Sequence, residues 1–195
     1  MACGQCRTLF QPTPGADFFE LLGVERGFEI DGGSLSDSFH RLARLIHPDR
    51  YSSADEQTRQ LATALFAQVN QAYTALGDPA RRADYLLTLA GGPSAAAERA
   101  VPGDLLAQVM ALREQIDEAR DSGDLAVVEN IRNEVSVRRA QTLQRVSPLA
   151  AALDQADEPH KRELRLHLNA IRYFDTLLQQ VAPDPFVHAS GAGRG

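Results

Sequence analysis

The sequence predicts an all-α protein in two parts: a small N-terminal helical domain followed by a C-terminal three-helix bundle. Three observations predict it. Apolar residues recur at spacings of three and four through almost every segment. No stretch shows the strict alternation of a strand. Gly, Pro and Asp fall where helices should begin and end. The chain has 195 residues, 44% of them hydrophobic, and no Trp. That is enough apolar material for a core and enough length for one large or two small domains.

The first helix is short, "DFFELL" at 17–22, with Asp17 as its N-cap. The second, in "GGSLSDSFHRLARLIHPD", places Leu35, Phe39, Leu42 and Ile46 on one side, and Ser34 with Asp37 resembles a capping box. A longer helix, from about 55 to 76, aligns Leu61, Leu65, Val69, Ala72 and Leu76. Gly77 ends it, and Asp78-Pro79 supplies a cap and a preset first residue for "ARRADYLLTLA". Residues 91–103, "GGPSAAAERAVPG", read as a linker or loop. Beyond it, "DLLAQVMALREQIDEAR" carries Leu105, Val109, Leu112 and Ile116 on one stripe. After a break at Ser122-Gly123-Asp124, a long helix follows, which Ser147-Pro148 should kink or restart. The last helix turns Leu164, Leu168, Ile171, Leu178 and Val181 inward, and a Pro/Gly/Ala-rich tail begins at Pro183.

The formal net charge of −6 argues against a general nucleic-acid binder, which needs a large cationic surface. No apolar run is long enough to span a membrane. "MACGQCRTLF" has neither the apolar stretch of a secretory signal nor the Arg/Ser-rich character of a transit peptide. With two cysteines, Cys3 and Cys6, too close together to form a disulfide framework, a reducing cytoplasm is the expected compartment.

One loop stands out. In "RLIHPDRYSS", Pro48 has no N–H and disfavours the helical region for His47, so the helix should stop there. His47 and Asp49 then become polar groups on a stiff backbone, which lose little entropy when they bind something. The helix leading in carries His40, Arg41 and Arg44 on its outer face, with Arg50 just beyond. A basic face on an acidic protein suits steering toward an acidic partner surface. The plainer alternative is an ordinary turn and a solvated helix face. A given tripeptide occurs by chance in roughly one in forty chains of this length, so its position between two amphipathic helices carries the argument.

"HPDRY", followed by "VNQAYTALGDPARRADYLL", resembles the J-domain of DnaJ-type co-chaperones over residues 16–90, a helical hairpin with flanking short helices. The next segments, "ADYLLTLAGG", "LLAQVMALREQIDEA" and "LNAIRYFDTLL", are similar to the HscB-type co-chaperones of iron–sulfur cluster assembly. The organisation expected is an N-terminal segment over 1–15, the J-domain over 16–90, a linker over 91–103, a scaffold-binding bundle over 104–182 and a tail over 183–195. The resemblance implies docking on the ATPase domain of an HscA/DnaK-type chaperone and stimulation of its ATP hydrolysis. His47, Pro48 and Asp49 would make the main contact, Asp49 with a basic residue of the chaperone, and Arg41 and Arg44 would meet an acidic surface.

On the first bundle helix, Leu106, Met110, Glu114 and Glu118 form a row at spacing four, apolar and then acidic. Such a row either widens the core stripe or forms an exposed apolar spot bordered by carboxylates, as partner surfaces do. The resemblance implies the second: this face, with Tyr173 from the last helix, would bind an IscU-type cluster scaffold. Ala107 stands where the family often has Met, and Ala111 where it often has Glu, a loss of affinity on the order of 1–2 kcal/mol.

"CGQC" supplies two of the four ligands of a structural zinc site, and none of the five histidines adds a second close pair. It looks like the second half of the four-cysteine module of some eukaryotic HscB-type proteins. A remnant, a site shared between chains and a redox pair are the readings open. No resident metal or other cofactor is expected. An enzyme using His47 and Asp49 as an acid–base pair is the rival class, but it lacks a nucleophile, a phosphate loop or a metal cluster nearby. A J-domain protein with a different client is another.

Overall fold

The computed structural model describes residues 1, 8–103 and 105–182, so Cys3, Cys6 and the tail from Pro183 lie outside the described residues. Its elements are helical: α1 (Phe18–Leu22), α2 (Gly32–Ile46), α3 (Glu56–Gly77), α4 (Pro79–Leu89), α5 (Leu105–Ser122), α6 (Leu125–Ala151) and α7 (Glu158–Gln180), with short 3₁₀ turns at Pro48–Tyr51 and Leu153–Gln155. The all-α class is therefore as expected. Two compact units emerge. Met1–Gly91 with Ala150–Gln155 make the first; the described residues of Gly92–Leu149 and Ala156–Gly195 make the second.

Aspartates start most of the helices of the first unit. Asp17 caps α1 in a complete capping box: its carboxylate accepts from Glu20 N–H at 2.9 Å, while Glu20 accepts from Asp17 N–H at 3.0 Å. Gly23 closes that helix at φ +65°, a left-handed conformation that suits a residue without Cβ. Asp55 and Asp78 cap α3 and α4 through Thr58 N–H and Arg81 N–H, both at 2.9 Å.

For α2 the cap expected at Ser34 with Asp37 is displaced. Asp31 is the N-cap, accepting from Ser34 N–H at 2.8 Å and from its hydroxyl at 2.6 Å, and the helix begins at Gly32. A carboxylate placed to take both donors outcompetes a hydroxyl that would take one. These bonds hold the Asp31 carboxyl below its ordinary range.

The core of the first unit is built mainly on α3, against which α1, α2 and α4 pack. Phe19, Leu22, Leu35, Ile46, Leu65, Val69, Leu76 and Leu87 are almost fully buried. At the start of α3 the inward residue is Ala62, while the expected Leu61 is only half-buried. Ala62 keeps the three–four alternation of the other buried residues of α3, Leu65, Val69, Ala72 and Leu76. Phe39 stacks on Tyr73 at 4.1 Å and the His47 ring meets Phe66 at 5.0 Å, so α2 and α3 form an antiparallel hairpin with its turn at 47–55.

In the second unit, one apolar cluster joins Leu105, Val109, Leu112 and Ile116 of α5, Ile131 and Val135 of α6, and Ala170, Phe174 and Leu177 of α7. Pro148 does not restart α6: the helix runs through it to Ala151. Pro148 has no N–H to give the Gln144 carbonyl one turn earlier, so the helix passes through it with that one bond missing, and only the last turn lies beyond. The Leu149 carbonyl is satisfied from outside the helix by the His160 Nε2 at 2.8 Å.

Candidate functional site

The elbow after α2 is built from its own backbone. His47 leaves the helix at φ −56°, ψ 128°, the extended conformation favoured before proline. The chain then winds into the 3₁₀ turn Pro48–Tyr51, closed by Arg50 N–H to the His47 carbonyl at 3.0 Å. The residues expected to form a stiff polar loop wind into a 3₁₀ turn, because proline's fixed φ suits the first position of a helical turn. The His47 Nδ1 accepts from Asp49 N–H at 3.3 Å, which makes that nitrogen the unprotonated one in the neutral ring. It also lies 3.6 Å from the Asp49 carboxylate, whose side chain is 90% exposed.

Two side chains that sequence reasoning did not single out support this elbow. Phe66, from α3, meets the His47 ring edge-on at 71°. Tyr51, buried, donates its hydroxyl to the Leu45 carbonyl at 3.0 Å. That carbonyl stands in the last turn of α2, where helical donors run out. These two contacts hold the chain on the helix side of Pro48, at Leu45 and His47. His40, Arg41, Arg44 and Arg50 are all exposed. The structure brings Arg44, His47, Pro48, Asp49 and Arg50 to one end of the α2–α3 hairpin, whereas Arg41 stands more than a turn back along α2 and donates to the Ser38 hydroxyl at 3.2 Å.

On α5 the leftover row does not widen the core. Leu106 is 51% exposed and Met110 71%, while Leu105 and Val109 beside them are buried. Glu114 and Glu118 are exposed too. Met110, Ala107, Ala111, Glu114, Glu118, Asp117 and Asp121 line one shallow open depression. Asp117 and Asp121 are an addition to the expected row; their spacing of four from each other, and of three from Glu114 and Glu118, was the available signal. Tyr173 is placed differently. It is half-buried, packed against the bundle core on α7, and does not line that depression.

The segment read as a linker is tied down. Arg165 Nε donates to the Pro93 carbonyl at 2.8 Å, and the Asn169 amide donates to the carbonyls of Glu98 and Ala100, each at 2.9 Å. Both side chains are buried within the second unit. Arg165 and Asn169, polar residues four apart beside the apolar side of α7, were the available signal, but their partners stand too far away in sequence to be read. Among the described residues no group of three or more His, Cys, Asp or Glu could hold a metal, and no helix is long and apolar enough to cross a membrane.

A helical hairpin that projects His47-Pro48-Asp49 from its turn defines a J-domain protein, and residues 17–85 match the DnaJ domain. Residues 101–182 match the HSCB C-terminal oligomerisation domain. The co-chaperone protein HscB homolog of Aeromonas salmonicida is 33% identical over 138 residues, 70% of this chain and 80% of that relative. The Vibrio cholerae homolog is 38% identical over 109 residues, 55% of this chain and 64% of the relative, so the match spans a little under two thirds of its length. The crystal structure of human co-chaperone protein HscB superposes with a TM-score of 0.75 at 28% identity, covering 92% of this chain and 87% of that one. This chain belongs to the HscB family of J-domain co-chaperones.

Proposed function

We propose that this chain is a co-chaperone of iron–sulfur cluster assembly in the cytoplasm, with no active site of its own. It brings an IscU-type scaffold protein to an HscA/DnaK-type chaperone and stimulates the chaperone's ATPase. The observation that carries the reading is the Asp49 carboxylate, 90% exposed on the proline turn that follows a helix with exposed Arg41 and Arg44. Asp49 pairs with a basic residue of the chaperone; Arg41 and Arg44 meet its acidic surface. His47 orients the turn through its bond to Asp49 N–H and contributes a ring face to the contact. Contacts made better in the hydrolysis-competent state of the partner shift its population toward that state, and that differential is the whole of the stimulation.

The cargo is held elsewhere. The exposed Leu106 and Met110 supply apolar area, Glu114 and Glu118 a charged rim, and Tyr173 an aromatic edge from the neighbouring helix of the bundle. Such a patch, greasy at one end and anionic at the other, fits a scaffold surface that is apolar with basic borders. The organisation proposed is accordingly a chaperone-binding J-domain over 16–90 and a scaffold-binding bundle over 104–182.

The test is phosphate release by an HscA-type chaperone with wild-type protein or Asp49→Asn, each with and without the scaffold. Most of the stimulation is expected to vanish in the variant, and the scaffold should add to wild-type stimulation. Stimulation that survives Asp49→Asn, or ATP turnover without any chaperone, overturns the reading. Replacing Leu106, Met110 and Tyr173 together by Ala should abolish scaffold capture; undiminished capture would point to a different client surface.

A further inference from the structure

Along α7, Arg165, Asn169 and Tyr173 follow one another at spacings of four, which puts them on one side of the helix. The first two grip the segment that leads into α5. Arg165, 1% exposed, holds the Pro93 carbonyl, well upstream of α5. Asn169, 5% exposed, holds Glu98 and Ala100, just before α5 begins. The chain then continues through Val101, which packs against the same core cluster as Tyr173, and the Pro102 carbonyl accepts from Leu105 N–H at 3.2 Å.

The apolar contacts between α5 and α7 have no direction. Leu105 and Val109 share a buried cluster with Ala170, Phe174 and Leu177, whose burial rewards area removed from water rather than one orientation of a group. A buried amide whose two N–H groups meet two backbone carbonyls does have direction: it fixes both position and orientation of the segment it holds. Leu106 and Met110 stand in the first and second turns of α5, and Tyr173 one turn beyond Asn169 on α7.

We infer that Asn169 is a positioning residue for the cargo surface: its two-pronged grip on the 98–100 backbone sets the register of α5 against α7, and so the placement of Leu106 and Met110 relative to Tyr173. The inference rests on the scaffold-binding reading. It makes Arg165 the natural control, because Arg165 also buries a hydrogen bond to the same segment but anchors it far from α5.

The experiment uses full-length protein with an IscU-type scaffold and an HscA-type chaperone. Asn169→Ser leaves at most one of the two donors; Arg165→Met removes the upstream anchor. Both variants should lower the thermal midpoint of the second unit. Asn169→Ser alone should raise the half-saturating scaffold concentration about tenfold, leaving the scaffold-free stimulation of ATP hydrolysis at its wild-type value. Met110 is the sole methionine besides Met1, so its ¹³C-labelled methyl resonance reports on α5 directly and should shift in Asn169→Ser and hold in Arg165→Met. Equal loss of affinity in both variants, tracking their midpoints, would make the role merely structural and overturn the inference. So would unchanged affinity in Asn169→Ser. Should wild type fail to bind the scaffold, the functional reading falls by itself, and the Met110 resonance alone decides: an unmoved signal in Asn169→Ser overturns the positioning role, and a shift confined to that variant sustains it.

Discussion

Replacing Tyr51 by Phe removes one oxygen and tests whether the proline elbow is braced from beneath. Tyr51 is 8% exposed, and its hydroxyl donates to the Leu45 carbonyl at 3.0 Å. The helical donor for that carbonyl would be Asp49 N–H, which instead bonds the His47 ring. The substitution therefore leaves a partly buried acceptor short of its buried donor. Such a loss costs about 1–3 kcal/mol, and a carbonyl that water can approach belongs near the middle of that range or below. A cost of about 1.4 kcal/mol is a factor of ten in the folding equilibrium.

The first unit contains its own core, so the effect is read there. Hydrogen exchange of the slowest α3 amides should accelerate roughly tenfold, and the unit's thermal midpoint should fall by about 4–8 °C per kcal/mol. Exchange of Arg50 and Ser52 N–H, whose bonds close the turn, should accelerate at least as much. Unchanged exchange throughout α2, α3 and the turn would refute the bracing argument, since the ring itself remains in place.

Other outcomes follow from the same geometry. Arg82 is buried, donates to the Leu76 carbonyl at 2.8 Å and lies 5.3 Å from the Phe28 ring centroid, while burial lowers its guanidinium pKa. Arg82→Ala should destabilise the first unit by about 2–4 kcal/mol, read by denaturant unfolding, since it removes packing, a ring contact and a carbonyl's partner together. Burial, aided by the Arg145 charge, lowers the pKa of His167 below its ordinary value near 6.5. As pH falls below about 6.5, the unfolded chain takes up that proton before the folded one, so the second unit loses stability; above that pH the group contributes nothing. The melting temperature of the second unit should therefore fall more steeply between pH 7.5 and 5.5 in wild type than in His167→Gln, and parallel curves would contradict this. Raising salt should weaken scaffold capture by wild type more than by a Glu114→Gln, Glu118→Gln double variant, because the rim charges it screens are exposed.

Sequence periodicity was enough for the all-α class and for most inward residues, because helix faces are set by local spacing. It was also enough for the elbow, since proline's effects at 47–49 act on adjacent residues. It failed where competition or distance decided. Asp31 displaced Ser34 as the cap of α2 because two candidate caps stood three residues apart and the carboxylate made more bonds. Leu61 gave way to Ala62 because two adjacent apolar residues both lay near the stripe, and the smaller one falls on the side of α3 that is covered. Periodicity also left open whether Leu106 and Met110 belonged to the core or to solvent, since a stripe's width depends on the helices that cover it.

What this chain's amino acids settle alone is thus local: where helices start and stop, which faces are apolar, and that a stiff turn carries an imidazole and an acid. Tertiary structure decided what stands behind and beside those features. Phe66 and Tyr51 reach the elbow, Arg165 and Asn169 tie down a segment that composition marks as a linker, and Met110 is left in the open. The reason is that backbone geometry propagates only a few residues along a chain, whereas a hydrogen bond or a buried face is made with whatever the fold brings within a few ångströms.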